Sequence, residues 1–207
     1  MISKSIIKAS QKPVSEIIKS TFIDSLYKKY DIHVLEKKHT EQILLLQKKL
    51  SNNGSLKQNK RDEILESISN GLWIGVFEEQ TIVAYTAFDF QEIEGKILLY
   101  FKVTAKNRDD FSGFQTKTFK LREKIGKLLL KQAGLPYIGG YCTVHPENKR
   151  CEMNIKAAGL KKLFQVKGCY EPSPKGDRNI YGCGNIAELR KLLESRYMKH
   201  LSPLGVK

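Results

Sequence analysis

Val144-His145-Pro146-Glu147-Asn148-Lys149-Arg150-Cys151-Glu152-Met153-Asn154-Ile155-Lys156-Ala157-Ala158-Gly159-Leu160 reads as one mechanical unit: a strand end, a proline turn, a short helix and a glycine stop. Pro146 suits the first turn of a helix, where its missing N–H leaves no bond unmade. Cys151, Ile155 and Ala158 recur at the i, i+4, i+7 spacing of a buried helix stripe, and Gly159 is the residue type expected just past the last turn. The expectation is a short amphipathic helix docked through Ile155. Alone, the segment fits any strand-to-helix connection in an α/β protein, so the elements around it decide the fold.

Upstream, Ser5 to Ala9 reads as a short strand, and Pro13 opens a helical pattern through Ile17, Ile18, Phe22, Leu26 and Tyr27. A second helix runs from about Glu36 to Leu50, with Ile43, Leu44, Leu46 and Leu50 on one side and lysines on the other. Ser51 to Ser55 breaks it, a polar loop continues to Asn59, and a shorter helix covers about Asp62 to Ser69. From Leu72 the period changes to that of strands. Trp73 to Phe77, Thr81 to Phe88 and Lys96 to Val103 are rich in β-branched and aromatic residues, and the connections Glu78 to Gln80 and Gln91 to Gly95 make them an antiparallel meander. A long helix follows from about Thr116 to Ala133, stopped by Gly134 and Pro136. Tyr137 to Val144 is the next strand, followed by the Pro146 helix; Leu163 to Tyr170 and Asn179 to Cys183 are closing strands, and a basic helix spans residues 186–200.

This order, together with the Asn148 turn and Gly159 eleven residues after it, resembles the GCN5-related N-acetyltransferase (GNAT) superfamily over about residues 5–183. Leu160 stands where that family usually has an aromatic residue. The resemblance implies an α/β (α+β) fold, a mixed, mostly antiparallel sheet flanked by helices. Residues 1–207 would then form one domain, with a helical part at 10–70. It also implies acetyl-CoA or another acyl-CoA as cofactor and direct attack by an amine, whether of a small molecule or of a protein or peptide. In the family, backbone N–H groups at the start of the long helix hold the pyrophosphate, as the helix dipole and glycine's close backbone approach favour. Two phasings of that loop stand open. In the first, the pattern begins at Val103, and Arg108, Gly113, Phe114 and Gln115 hold the cofactor with Asn148. In the second, Ile125-Gly126 opens the helix. Under the first phasing Gly126 lies within the helix, and Gly126→Ala is expected to add up to about 1 kcal/mol of stability. Asn148 is expected also as a helix cap.

The family's usual proton donor, a Tyr seven residues after the Asn, is Ile155 here. The nearest replacements are Tyr141, His145 and Tyr100, and the base is expected among Asp89, Glu92 and Glu94, with Glu94 taken as the representative. A backbone N–H of the last meander strand would polarise the acyl carbonyl.

Composition sets the outer limits. The chain has 207 residues, 41% hydrophobic and 28% charged, which describes an ordinary folded protein. No apolar run approaches the roughly 20 residues of a membrane span, and the polar start points to the cytoplasm. Cys142, Cys151, Cys169 and Cys183 form no C-x-x-C pair, so no metal site is expected and the thiols are read as reduced. Net charge is +14, and residues 101–207 carry 22 Lys and Arg against 9 Asp and Glu. Such a basic half suits a phosphorylated cofactor, RNA or an acidic partner. The alternatives to the enzyme are a catalytically silent GNAT fold that binds RNA or an acidic protein, and an aminoacyl transferase using charged tRNA. Monomer and homodimer remain equally open.

Overall fold

The computed structural model describes residues 30–51, 59–107 and 113–200. The strand expected at Ser5 to Ala9, the helix opened by Pro13, and Arg108 lie outside them.

Seven strands form one sheet in the order β1-β2-β3-β4-β5-β7-β6: β1 Asp31–Val34, β2 Gly71–Glu78, β3 Thr81–Ile93, β4 Lys96–Lys106, β5 Gly139–Val144, β6 Lys161–Val166 and β7 Arg178–Gly184. Every pairing is antiparallel except β4 with β5. The helices are α1 Thr40–Ser51, α2 Arg61–Asn70, α3 Phe114–Gln132, α4 Lys149–Ala157 and α5 Ile186–Tyr197. None is long and apolar enough to cross a membrane, among the described residues.

Strand alternation sorts the side chains into two layers. Leu72, Ile74, Leu99 and Phe101 face α3 and α4, meeting Phe119, Ile125, Leu129 and Ile155. On the opposite face Trp73, Tyr85 and Ala105 pack with Ile43 and Leu46 of α1 and Ile64 of α2. Further along that face Leu98 and Tyr141 pack with Leu189, Leu193 and Tyr197 of α5. Among the described residues, no helix covers the strip between α2 and α5, over the middle of β4.

Several local features differ from the sequence expectations. β1 is a four-residue edge strand, too short to show a period; it pairs from Asp31↔Phe77 to Val34↔Ile74. β3 continues through Gln91 and Glu92, which pair with Leu98 and Ile97. The meander's second connection is therefore only Glu94-Gly95, both at positive φ (50° and 72°), the geometry of a two-residue hairpin turn. Pro146 lies before α4 rather than in its first turn, because Asn148 is the N-cap. α3 starts at Phe114 rather than Thr116.

Candidate active site

The parallel pairing of β4 and β5 is only two steps long, Leu99↔Gly140 and Tyr100↔Tyr141. Beyond it β4 stays with β3 as far as Lys106, and β5 stays with β7 to Val144↔Asn179. The two strands therefore part and leave a wedge open toward their carboxyl ends. Gly140 lets the strands approach at the first of these steps, since a Cβ there would run into the Phe101 ring. Across the wedge the Tyr100 hydroxyl and Thr143 Oγ1 lie 3.2 Å apart. Just beyond Tyr100, the pairs Phe88↔Phe101 and Thr86↔Thr104 leave Ala87 facing both Lys102 and Val103. That extra residue is a β-bulge, which re-aims the backbone of β4 at the mouth of the wedge. The Val103 carbonyl accepts from Thr86 Oγ1 at 3.3 Å.

Two helices start at this edge. Gly113, at φ 67°, is the N-cap of α3; among the described residues no side chain caps it, and a Cβ built there meets nothing within 4 Å. α4 starts after Asn148, whose Oδ1 accepts the Cys151 N–H at 3.0 Å. The helices are joined through side chains: Gln115 Nε2 donates to Cys151 Sγ at 3.0 Å, Asn154 Nδ2 to Gln115 Oε1 at 2.9 Å, and Thr116 Oγ1 to the Asn154 carbonyl at 3.3 Å. Both dipoles thus put positive ends beside the wedge, a setting that favours an anion such as a diphosphate. The open Cβ position at Gly113 and the parted strands fit the extended, phosphorylated arm of a CoA molecule.

On the face between α2 and α5, a cleft of about 370 Å³ is lined by Ser67, Trp73, Tyr100, Lys102 and Val103 among others. Lys102 Nζ bridges Asp89 Oδ2 at 2.9 Å and Ser67 Oγ at 2.6 Å, and Trp73 Nε1 donates to Ser67 Oγ at 3.1 Å. Burial raises the Asp89 carboxyl above its ordinary pKa, against the opposing pull of Lys102. The carboxylate fits because residue 71 is glycine: a Cβ there would lie 1.9 Å from Asp89 Oδ1. Tyr100 is pushed well above its ordinary pKa, first by burial and then by the nearby Tyr170, so it keeps its proton at neutral pH.

The expected residues fall into two sets. Tyr100, Val103, Gly113 and Asn148 lie around the wedge, while Glu94 does not. Glu94 sits in the β3–β4 turn, six residues or roughly 20 Å of extended strand from Tyr100, and accepts a hydrogen bond from Ser195 of α5. Tyr141 is fully buried beneath Tyr100, with ring centroids 5.0 Å apart, and its hydroxyl is taken by Gln91. His145 is held in its turn, with Nε2 3.3 Å from the Pro174 carbonyl and Nδ1 accepting the Glu147 N–H. Phe114 is a core side chain, and the Gln115 side chain is committed to α4, so only their backbone faces the helix start. Ile155 is fully buried and packs in the core rather than facing the wedge. Gly126 lies in the middle of α3, where a Cβ would meet Leu99 Cδ1 at 2.3 Å. Sequence reading missed Ser67 and Thr143, which carry no local signal. Lys102 was legible as a charge inside the apolar run of β4. The sequence groups Asp89 with Glu92 and Glu94; its partner Lys102 is what separates it from them.

No protein-family model and no curated protein matches the sequence. Solved structures do. An N-acetyltransferase from Staphylococcus aureus superposes with TM-score 0.56 at 14% identity, over 76% of this chain and 98% of that one. A probable acetyltransferase from Staphylococcus epidermidis gives 0.57 at 17%, over 74% and 98%. The PaiA N-acetyltransferase from Thermoplasma acidophilum, in complex with coenzyme A, gives 0.51 at 13%, over 75% and 98%.

Proposed function

We propose that this chain, whose fold is that of the GNAT N-acetyltransferases, is an acyl-CoA-dependent N-acyltransferase acting on an amine. The observation that carries the reading is the wedge: two parallel strands that part after Tyr100 and Tyr141, with two helix N-termini at its mouth and a polar cleft on the far side of β4. The PaiA structure is a complex with coenzyme A, and the wedge here has the backbone and dipoles to hold one.

Gly113 and the first turn of α3 would hold the diphosphate, the parted edges of β4 and β5 the pantetheine, and Asn148 the turn that shapes one wall. Bound there, acyl-CoA supplies a thioester carbonyl that an amine attacks while the thiolate departs. The residues of the chain supply the rest. The bulge at Lys102–Val103 turns β4 backbone toward the wedge, where an N–H can polarise the acyl oxygen. Asp89, buried and raised in pKa, is the carboxylate nearest this point along the strands and takes the place that Glu94 does not fill. Oriented by Lys102, which Ser67 holds in turn, it accepts the amine's proton. Tyr100 keeps its proton and holds it at the mouth, bonded to Thr143, which suits a donor to a departing thiolate.

Calorimetric titration with CoA and acetyl-CoA tests the reading directly. Micromolar binding followed by release of CoA thiol when amines are added is the expected result. Absence of any binding refutes it, and stabilisation by RNA alone would favour the silent, RNA-binding alternative.

A further inference from the structure

Arg122 is a charged side chain inside the core. It is 1% exposed, on the stripe of α3 that faces the sheet. Nε donates to the Thr118 carbonyl at 3.1 Å and Nη1 to the Ala87 carbonyl at 3.0 Å. The guanidinium lies over the Phe119 ring at 4.3 Å and the Phe101 ring at 5.2 Å, and Nη2 has no hydrogen-bond partner among the described residues. No carboxylate among the described residues bonds to it. The titratable groups facing it are Cys142 of β5 and Cys151 of α4. Burial pushes both thiols up, so they are neutral at physiological pH. Phe101 of β4 and Ala87 of β3 add only a ring and a carbonyl. Burial in turn lowers Arg122 itself to about 9, which leaves it charged at neutral pH.

A buried cation without a counter-ion is a poor way to stabilise a core, and an apolar side chain of similar length generally does better. Its placement suggests another use. Ala87, whose carbonyl it takes, is the residue opposite the β4 bulge at Lys102–Val103. Resting on the acyltransferase reading, we infer that Arg122 is a positioning residue for acyl transfer: it braces the bulge from behind and leaves a fixed positive charge beside the acyl oxygen, where negative charge develops. Preorganised charge of this kind acts most strongly in a water-excluded setting.

The test uses the full chain and two variants, Arg122→Met and Arg122→Lys, read by thermal melting, CoA calorimetry and release of CoA thiol from acetyl-CoA. Arg122→Met is expected to melt at or above the wild-type temperature and to bind CoA within about twofold of it, yet to release thiol at least about tenfold more slowly. Arg122→Lys restores the charge and much of the rate at neutral pH. Its rate then falls at a lower pH than that of the wild type as pH rises, because a buried ammonium loses its proton more readily than a guanidinium. Thiol release in Arg122→Met equal to wild type, or lost only in proportion to the melting temperature, overturns the role. If Arg122→Met does not fold, an Arg122→Lys profile identical to wild type overturns it instead. A wild-type chain that neither binds CoA nor releases thiol refutes the acyltransferase reading itself, whereas one that does both beside an unaffected Arg122→Met refutes only the part given to Arg122.

Discussion

Tyr100 and Gly126 show how much a single side chain depends on what stands opposite it. The Tyr100 hydroxyl reaches Thr143 across the wedge. Tyr100→Phe keeps the ring and removes the proton, so kcat is expected to fall about 10²–10⁴-fold with CoA affinity unchanged; equal turnover in steady-state assays would remove Tyr100 from the chemistry. For Gly126, helix propensity alone favours alanine, but Leu99 stands 2.3 Å from the new Cβ and is itself fully buried. Gly126→Ala should therefore destabilise by about 1–3 kcal/mol through overpacking, the reverse of the propensity expectation, and a denaturant melt distinguishes the signs. Ile155→Tyr follows the same logic. The slot is in the core, so the larger ring should cost a similar amount and leave turnover no faster.

Among the elements, α4 has attachments that can be titrated. Its N-cap, Asn148, holds the Cys151 N–H, and Asn148→Ala should lower stability by about 1 kcal/mol, seen as an earlier thermal midpoint. The helix is tied to β7 by Tyr181, whose hydroxyl donates to Glu152 Oε1 at 2.7 Å, and Lys156 Nζ lies 3.0 Å from the same oxygen. The Tyr181 bond, followed by that of Lys156, holds the Glu152 carboxyl down at about 2. Because that lies below the unfolded value of about 4.3, the contribution is complete above the unfolded pKa and is lost as pH falls through the folded one. The melting-temperature gap between wild type and Tyr181→Phe should accordingly narrow from about pH 5 to pH 2; a gap that stays constant over that range would mean the bond does not act through Glu152.

At the scale of the molecule, the sheet separates two kinds of surface. The side covered by α3 and α4 is basic: Lys117, Lys120, Lys124, Lys127 and Lys131 are exposed along α3. The cleft on the other side is lined by Glu63 and by Lys102, whose charge is paired with Asp89. An anionic cofactor approaching from the helix starts would meet a field of opposite sign, so CoA affinity should weaken as salt rises. Titrations at two ionic strengths check this, and an affinity independent of salt would mean that only short-range contacts hold the cofactor.

Periodicity and turn chemistry in the chain were enough to determine the meander, the long helix, the Asn148 helix with its glycine stop and the order that relates them to the GNAT fold. Those signals are local, carried by residues three or four apart in helices and two apart in strands. Tyr100, Gly113 and Asn148, singled out in the sequence, lie around the wedge where β4 and β5 part. What it could not determine were pairings between residues distant in the chain: that β4 and β5 pair for only two steps, that Ala87 faces a bulge, that Lys102 meets Asp89 and Ser67, and that Leu99 fills the space beside Gly126. Glu94 and Asp89 have equal standing in the sequence, five residues apart on one acidic stretch. Only the register of β3 on β4 sends one to a turn and the other to the cleft. Arg122 shares its helix stripe with Thr118, Ile125 and Leu129 and is visible in the sequence as a charge on a buried face, but its meaning comes from a carbonyl thirty-five residues earlier, brought beneath it by the packing of α3 on the sheet.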